Sequence, residues 1–230
     1  NASLTLSGAG TQTTGAITLT EGGAGAATLT LNGTGGAQTV TGAIAGNSAG
    51  DGSIVVDNAD GVTFSGAVGG TAVDSLTVTS GDATFSAAAT FAGDVTGAGT
   101  MTNNAAVNVG GDISVAGVEL SGSNVLTLDG SAAQTVDATI DGVATGNGLI
   151  TVNNTGGATF NGVIGGDNTV GTFNVDSNAE LNANANFSIV DVASSMTLTN
   201  NESLSLGALT NAGTIDNNGT LVIDNASGIT

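Results

Sequence analysis

The chain has 230 residues, with 39 Gly and no Lys, Arg, His, Cys, Pro, Trp or Tyr, and its 19 acidic side chains set a formal charge of −19. Side-chain salt bridges, disulfides and thiolate chemistry are excluded, and binding to phosphate backbones or anionic membranes lacks the cationic side chains it needs. Disorder, the usual reading of high net charge with few aromatics, is opposed by 40% hydrophobic residues and a mean hydropathy of +0.30.

In chain order, the first element is a partial repeat over 1–24. LTLSGAGTQTTGAI from Leu4 returns as LTLNGTGGAQTVTGAI from Leu29. A first full unit follows over 25–121 and a second over 122–230, with no clear linker. LTLNGTGGAQTV from Leu29 returns from Leu126 as LTLDGSAAQTV. GSIVVDNADGVTFSGAVGG from Gly52 returns from Gly148 as GLITVNNTGGATFNGVIGG, an offset of about 96–97 residues. Alternating runs such as Thr28–Leu31 and Ser203–Leu206 read as half-buried strands, with Gly, Asn and Asp in the turns between. No segment has a helical period.

The late part of each unit is the more regular. Apolar residues recur at Phe85, Phe91, Val95, Met101, Val107, Ile113 and Val118. The second copy has Phe187, Val192, Leu198, Leu204, Leu209, Ile215 and Leu221. The step is five or six residues, and three steps to a turn predict a triangular β-helix. Wider early steps, about 10–13, predict longer strands or coils with protruding loops. The fold class is therefore all-β, a β-solenoid with short strands and Gly/Asn/Asp turns. The alternative is a string of small β-sandwiches, one per unit. Asn and Thr side chains are expected to stack in ladders along the outside.

Phrases such as ATFNGVIGG, AQTVDATIDG and LTNAGTIDNNGTLVI resemble the β-strand-repeat proteins of bacterial surfaces, namely giant S-layer-like proteins and autotransporter passenger domains. The resemblance lies in composition and strand–turn cadence and covers nearly the whole chain. It implies a surface lattice, an extracellular filament or an adhesin stalk, and transfers no functional residue.

Catalysis has little to draw on. Only carboxylates and hydroxyls are present, and the six Phe occupy core-like positions instead of forming platforms for sugar rings. The expectation is that the chain is not an enzyme. Metal binding is the sharper candidate, since Ca²⁺ takes hard oxygen ligands. Asp57 and Asp60 in Asp-Asn-Ala-Asp, Asp51 beside Gly52, Asp167 in Gly-Asp-Asn and Asp216 in Asp-Asn-Asn are the candidate ligands, although none sits in an EF-hand or calcium β-roll motif. The competing reading is that these side chains cap their own turns.

Thr-x-Thr pairs begin at Thr11, Thr18, Thr28, Thr39, Thr77, Thr100 and Thr197, at spacings too irregular for one continuous array. Asn-x-Ser/Thr sequons begin at Asn1, Asn32, Asn153, Asn186, Asn201, Asn218 and Asn225. The chain opens without Met or a basic, apolar leader and holds no membrane-length apolar run. It reads as a mature region or an internal segment. The functional expectation is a structural component of an extracellular, cell-surface assembly (filament, sheath or S-layer). Its partners would be copies of itself, head-to-tail or in a lattice, with no nucleic acid and no direct membrane insertion. The alternative is the stalk or passenger segment of a surface adhesin.

Overall fold

The computed structural model describes residues 2–21 and 26–224. The expected boundary at 24/25 and the sequons beginning at Asn1 and Asn225 lie outside these residues. All regular structure among the described residues is β-strand, with no helix. The strand pairings among the described residues are parallel, which sets aside the antiparallel sandwich alternative. The chain divides into two compact units, Asn1–Ala116 and Gly117–Thr230. Both are β-solenoid, about ten turns in total.

Unit 1 has three faces. The first carries β1 (Ser3–Leu6), β4 (Thr28–Leu31), β7 (Ser53–Asp57), β10 (Ser75–Ser80), β13 (Val95–Gly97) and β16 (Ile113–Ser114). The second carries β2 (Gly10–Gln12), β5 (Gln38–Val40), β8 (Val62–Phe64), β11 (Ala83–Phe85) and β14 (Thr100–Asn103). The third carries β3 (Ile17–Leu19), β6 (Ile44–Gly46), β9 (Val68–Val73), β12 (Ala89–Phe91) and β15 (Val107–Val109). Each turn thus takes one strand from each face, as the three-step period predicts.

Unit 2 repeats the scheme. One face has β18 (Val125–Leu128), β21 (Asn147–Val152), β23 (Val170–Val175), β25 (Ala185–Val192), β27 (Ser203–Asn211) and β29 (Thr220–Ile223). Another has β19 (Gln134–Val136), β22 (Ala158–Phe160), β24 (Ala179–Leu181), β26 (Thr197–Asn200) and β28 (Thr214–Asn217). Strand β17 (Gly117–Leu120) pairs with β20 (Thr139–Gly142), and bridges from Ile164 to Ile140 and Ala185 continue that row.

The coils shorten along each unit. Leu29 lies opposite Ile54, 25 residues on, but Val95 lies opposite Ile113, only 18 on. In unit 2 Leu126 faces Ile150, 24 on, and Leu204 faces Leu221, 17 on. The tight coils are the ones with the regular six-residue step. The early coils add length in turns such as Ser48–Asp51, closed by the Asp51 N–H donating to Ser48 O (3.0 Å).

Because successive side chains in a strand alternate, each rung sends one set of residues into a narrow column. Leu29, Ile54, Leu76, Val95 and Ile113 stack in register and are fully buried. Burying each such side chain contributes about 1.5–3 kcal/mol. All six Phe are buried too. They form one group in each unit, with Phe64 stacked on Phe85 at 5.0 Å and Phe173 on Phe187 at 4.8 Å. The packing leaves no room at some turns. Gly81 has φ of 66°, and a Cβ there would collide with the Asn58 carbonyl.

The core also holds polar side chains, and they recur between units. Gln38, Asn58 and Asn103 are buried in unit 1, and Gln134, Asn154 and Asn200 are buried at the corresponding positions of unit 2. Gln38 Nε2 donates to the carbonyls of Leu6 and Gly8 (both 2.8 Å). Its Oε1 accepts from Gly33 N (2.9 Å) and Asn58 Nδ2 (3.2 Å). Gln134 Oε1 accepts from Gly130 N (3.0 Å), the counterpart of the Gly33 contact. Asn58 Nδ2 reaches Gly36 O (3.2 Å), and Asn154 Nδ2 reaches Ala132 O (3.1 Å) in the same way. These amides satisfy backbone groups that a wide turn would otherwise bury unpaired.

Candidate functional site

The outward faces are built from the second set of alternating side chains. On the second face of unit 1, Thr11, Thr39, Thr63, Thr84 and Thr102 lie in one in-register row. Irregular chain spacing therefore conceals a continuous threonine row. The intervals vary because the coils differ in length, while the pairing holds register.

The matching face of unit 2 has different chemistry. Its row runs Thr135, Thr159, Glu180, Thr199 and Asp216. Beside it stands an amide ladder. Asn161 Nδ2 donates to Asp137 Oδ1 (2.8 Å), and Asn182 Nδ2 to Asn161 Oδ1 (3.0 Å). Asn201 Nδ2 donates to Asn182 Oδ1 (2.7 Å), and Asn218 Nδ2 to Asn201 Oδ1 (2.9 Å). Every donor points to the preceding coil. Asp137, whose ionised side chain only accepts, is the first rung.

A shallow groove of about 390 Å³ runs along this face, lined by residues including Gly157, Thr159, Asn178, Glu180, Thr197 and Thr199. Glu180 Oε1 accepts from Asn201 Nδ2 (2.8 Å). Asp216 is two rungs beyond Glu180 in register, roughly 9.6 Å away at ~4.8 Å per rung. That is a backbone separation, and Asp216 does not line the groove.

Corner Asp and Asn side chains reach across coils as well as within turns. Asp82 Oδ1 accepts from Thr100 N (3.1 Å), and Asp94 Oδ1 from Asp112 N (2.9 Å). Asn178 Oδ1 accepts from Thr197 N (2.9 Å), and Asn184 Oδ1 from Ser203 N (3.3 Å). Each bond joins one coil to the next and contributes about 1 kcal/mol.

The five expected metal ligands have separate roles. Asp51 Oδ2 accepts from Ser48 N (3.0 Å), a cap on its own turn. Asp57 Oδ1 accepts from Ser80 Oγ (3.0 Å). Asp60 is exposed, and its N–H donates to Asn58 Oδ1 (3.0 Å). Asp167 is exposed, and its N–H donates to Asp141 Oδ1 (2.9 Å). Asp216 lies exposed on β28 beside Thr199. Among the described residues, no three acidic side chains gather where they could hold one ion. One carboxyl is perturbed: partial burial pushes Asp129 above its ordinary range, and its own backbone hydrogen bond opposes the rise. The corresponding residue of unit 1 is Asn32, which cannot ionise.

One outward row of unit 2 is largely apolar. Val125, Leu149, Thr172, Ile189 and Ala208 lie in register, and Ile189 is 42% exposed. The corresponding row of unit 1 begins Thr28, Ser53, Ser75. Compared with known proteins, the chain matches no family model, no curated protein and no solved structure.

Proposed function

We propose that the chain is a structural segment of an extracellular, cell-surface assembly, such as a filament, sheath or S-layer, and that it associates with copies of itself. One observation carries the reading. What the two units share is their interior: the buried Gln38/Gln134 and Asn58/Asn154 amides, which bond the same backbone positions in each unit, and the apolar column. Their outward rows differ. A chain selected to be a regular rod keeps its inner bonding and lets its surfaces diverge. The role is mechanical and not catalytic.

The apolar row of unit 2 supports self-association. On a chain of charge −19 it is a strip with no carboxylate of its own, flanked by the exposed Asp191, along which a second copy can pack. Elsewhere, divalent cations such as Ca²⁺ are the natural counterions between copies.

Immunogold electron microscopy of intact cells, with and without a chelator, tests the proposal. Label on an ordered surface layer or filament is expected, with loosening on chelation. Label confined to the cell interior contradicts it. Surface order unchanged by chelation removes the cation bridge alone.

A further inference from the structure

We propose that Asn153 is an N-glycosylation site, receiving an oligosaccharide from a lipid-linked diphosphate donor. The inference rests on the extracellular reading, since such transfer acts on exported chains. A sequon becomes meaningful when the fold places it on a surface turn with its side-chain amide free. Five sequons begin within the described residues, at Asn32, Asn153, Asn186, Asn201 and Asn218. The structure separates them.

Asn201 and Asn218 are rungs of the amide ladder, with both Nδ2 groups donating. Asn186 Nδ2 donates to Gly165 O (2.9 Å) in the preceding coil. Asn32 is only half-exposed, and its Oδ1 is buried without a partner. A glycan at any of these four displaces an inter-coil bond or must fit into a closed turn.

Asn153 is different. It follows the last residue of β21, and its backbone N–H donates to Leu128 O (2.9 Å). Strand alternation puts Val152 and Asn154 inside, both buried, so Asn153 faces solvent. Asn154 is anchored by Nδ2 bonds to Ala132 O (3.1 Å) and Gly157 O (2.6 Å), which fixes that direction. The exposed Asn153 amide is tied to no other group of the chain. The corresponding unit 1 segment is Asp57-Asn58-Ala59, which has no sequon, and its Asp57 carboxylate is engaged by Ser80.

Thr155 Oγ1 donates to Ser131 O (2.8 Å) in the folded chain. That bond is exposed, so the transferase can open it on the folded turn, whereas the Asn201 and Asn218 amides are held in the ladder. Asn153 Nδ2 attacks the sugar C1, so a C1–N bond forms and the C1–O bond to the lipid diphosphate breaks. The diphosphate leaves with the electron pair, and the amide proton passes to the transferase's base.

The test is peptide mass spectrometry on chain recovered from the surface fraction of its native cells. Digestion uses an Asp-directed protease, since trypsin has no Lys or Arg to cut. The expected result is glycan on most copies of Asn153, with Asn201 and Asn218 unmodified. N153Q should lose the glycan mass and the matching electrophoretic shift, with an unchanged Tm. A bare Asn153 on surface-recovered chain, or glycan at Asn201 or Asn218 in its place, overturns the inference alone. Recovery only from the cell interior overturns both the inference and the extracellular reading.

Discussion

Replacing Gln38 by Ala removes a side chain that holds together three stretches of backbone. Its Oε1 accepts from Gly33 N and Asn58 Nδ2, and its Nε2 donates to the Leu6 and Gly8 carbonyls. The side chain is fully buried, so water does not replace it freely. Stranding the buried Gly33 N–H costs about 1–3 kcal/mol, and each of the other three bonds about 0.5–1.5. The sum is roughly 2.5–7.5 kcal/mol, a large part of a typical stability of about 5–15. Urea denaturation reads the total, and hydrogen exchange at the Gly33 amide reads the local part. Gln12→Ala is the control, since its bonds to Gly8 O and Ala9 O are exposed, and its expected loss is under about 0.5 kcal/mol. Gly33→Ala should act through the same contact, because its Cβ would lie 2.6 Å from Gln38 Cδ. Combined with Gln38→Ala it should add less than the sum of the two. A Gln38→Ala loss equal to that of the control, with unchanged Gly33 exchange, would refute the argument.

Asn161→Asp faces a new carboxylate toward Asp137 and removes the donor between them. The expected loss is about 1–2 kcal/mol at pH 7, as read by urea denaturation. Partial burial holds the folded-state pKa of Asp129 above its ordinary value of 3.8, so the folded chain binds the proton more tightly than the unfolded one. Stability should fall as pH rises from about that value through the raised one, and Asp129→Asn should flatten this part of the pH–stability curve. Leu149→Asp combined with Ile189→Asp charges the apolar row. It should weaken concentration-dependent association in sedimentation runs while leaving the β-sheet circular dichroism intact. Unchanged association would take that row out of the contact.

Much of the fold is legible in the residues because a coil is a local period. Val107, Ile113 and Val118 mark successive faces, and short Thr-Leu-Thr-Leu runs mark strands. The polar interior is less legible. Gln38 looks like any turn residue until the coil carrying Leu6 and Gly8 is stacked on it, and those acceptors lie 32 and 30 residues away. The threonine row is hidden for the same reason: equal rungs in space correspond to unequal intervals in the chain. The candidate metal ligands stand out in the sequence only through their immediate neighbours. Asp57 instead finds its partner in Ser80, 23 residues on. The recurrence of Gln38 as Gln134, and of Asn58 as Asn154, was the available signal for the buried amides, since a polar residue kept between copies while its neighbours vary has a partner to hold.

The most direct test of the structural reading is cryo-electron microscopy of the purified chain, concentrated with and without Ca²⁺. Ordered filaments or sheets of repeating copies are expected, with rungs about 4.8 Å apart inside each copy. Dispersed single particles at every concentration, with Ca²⁺ and without it, would contradict it.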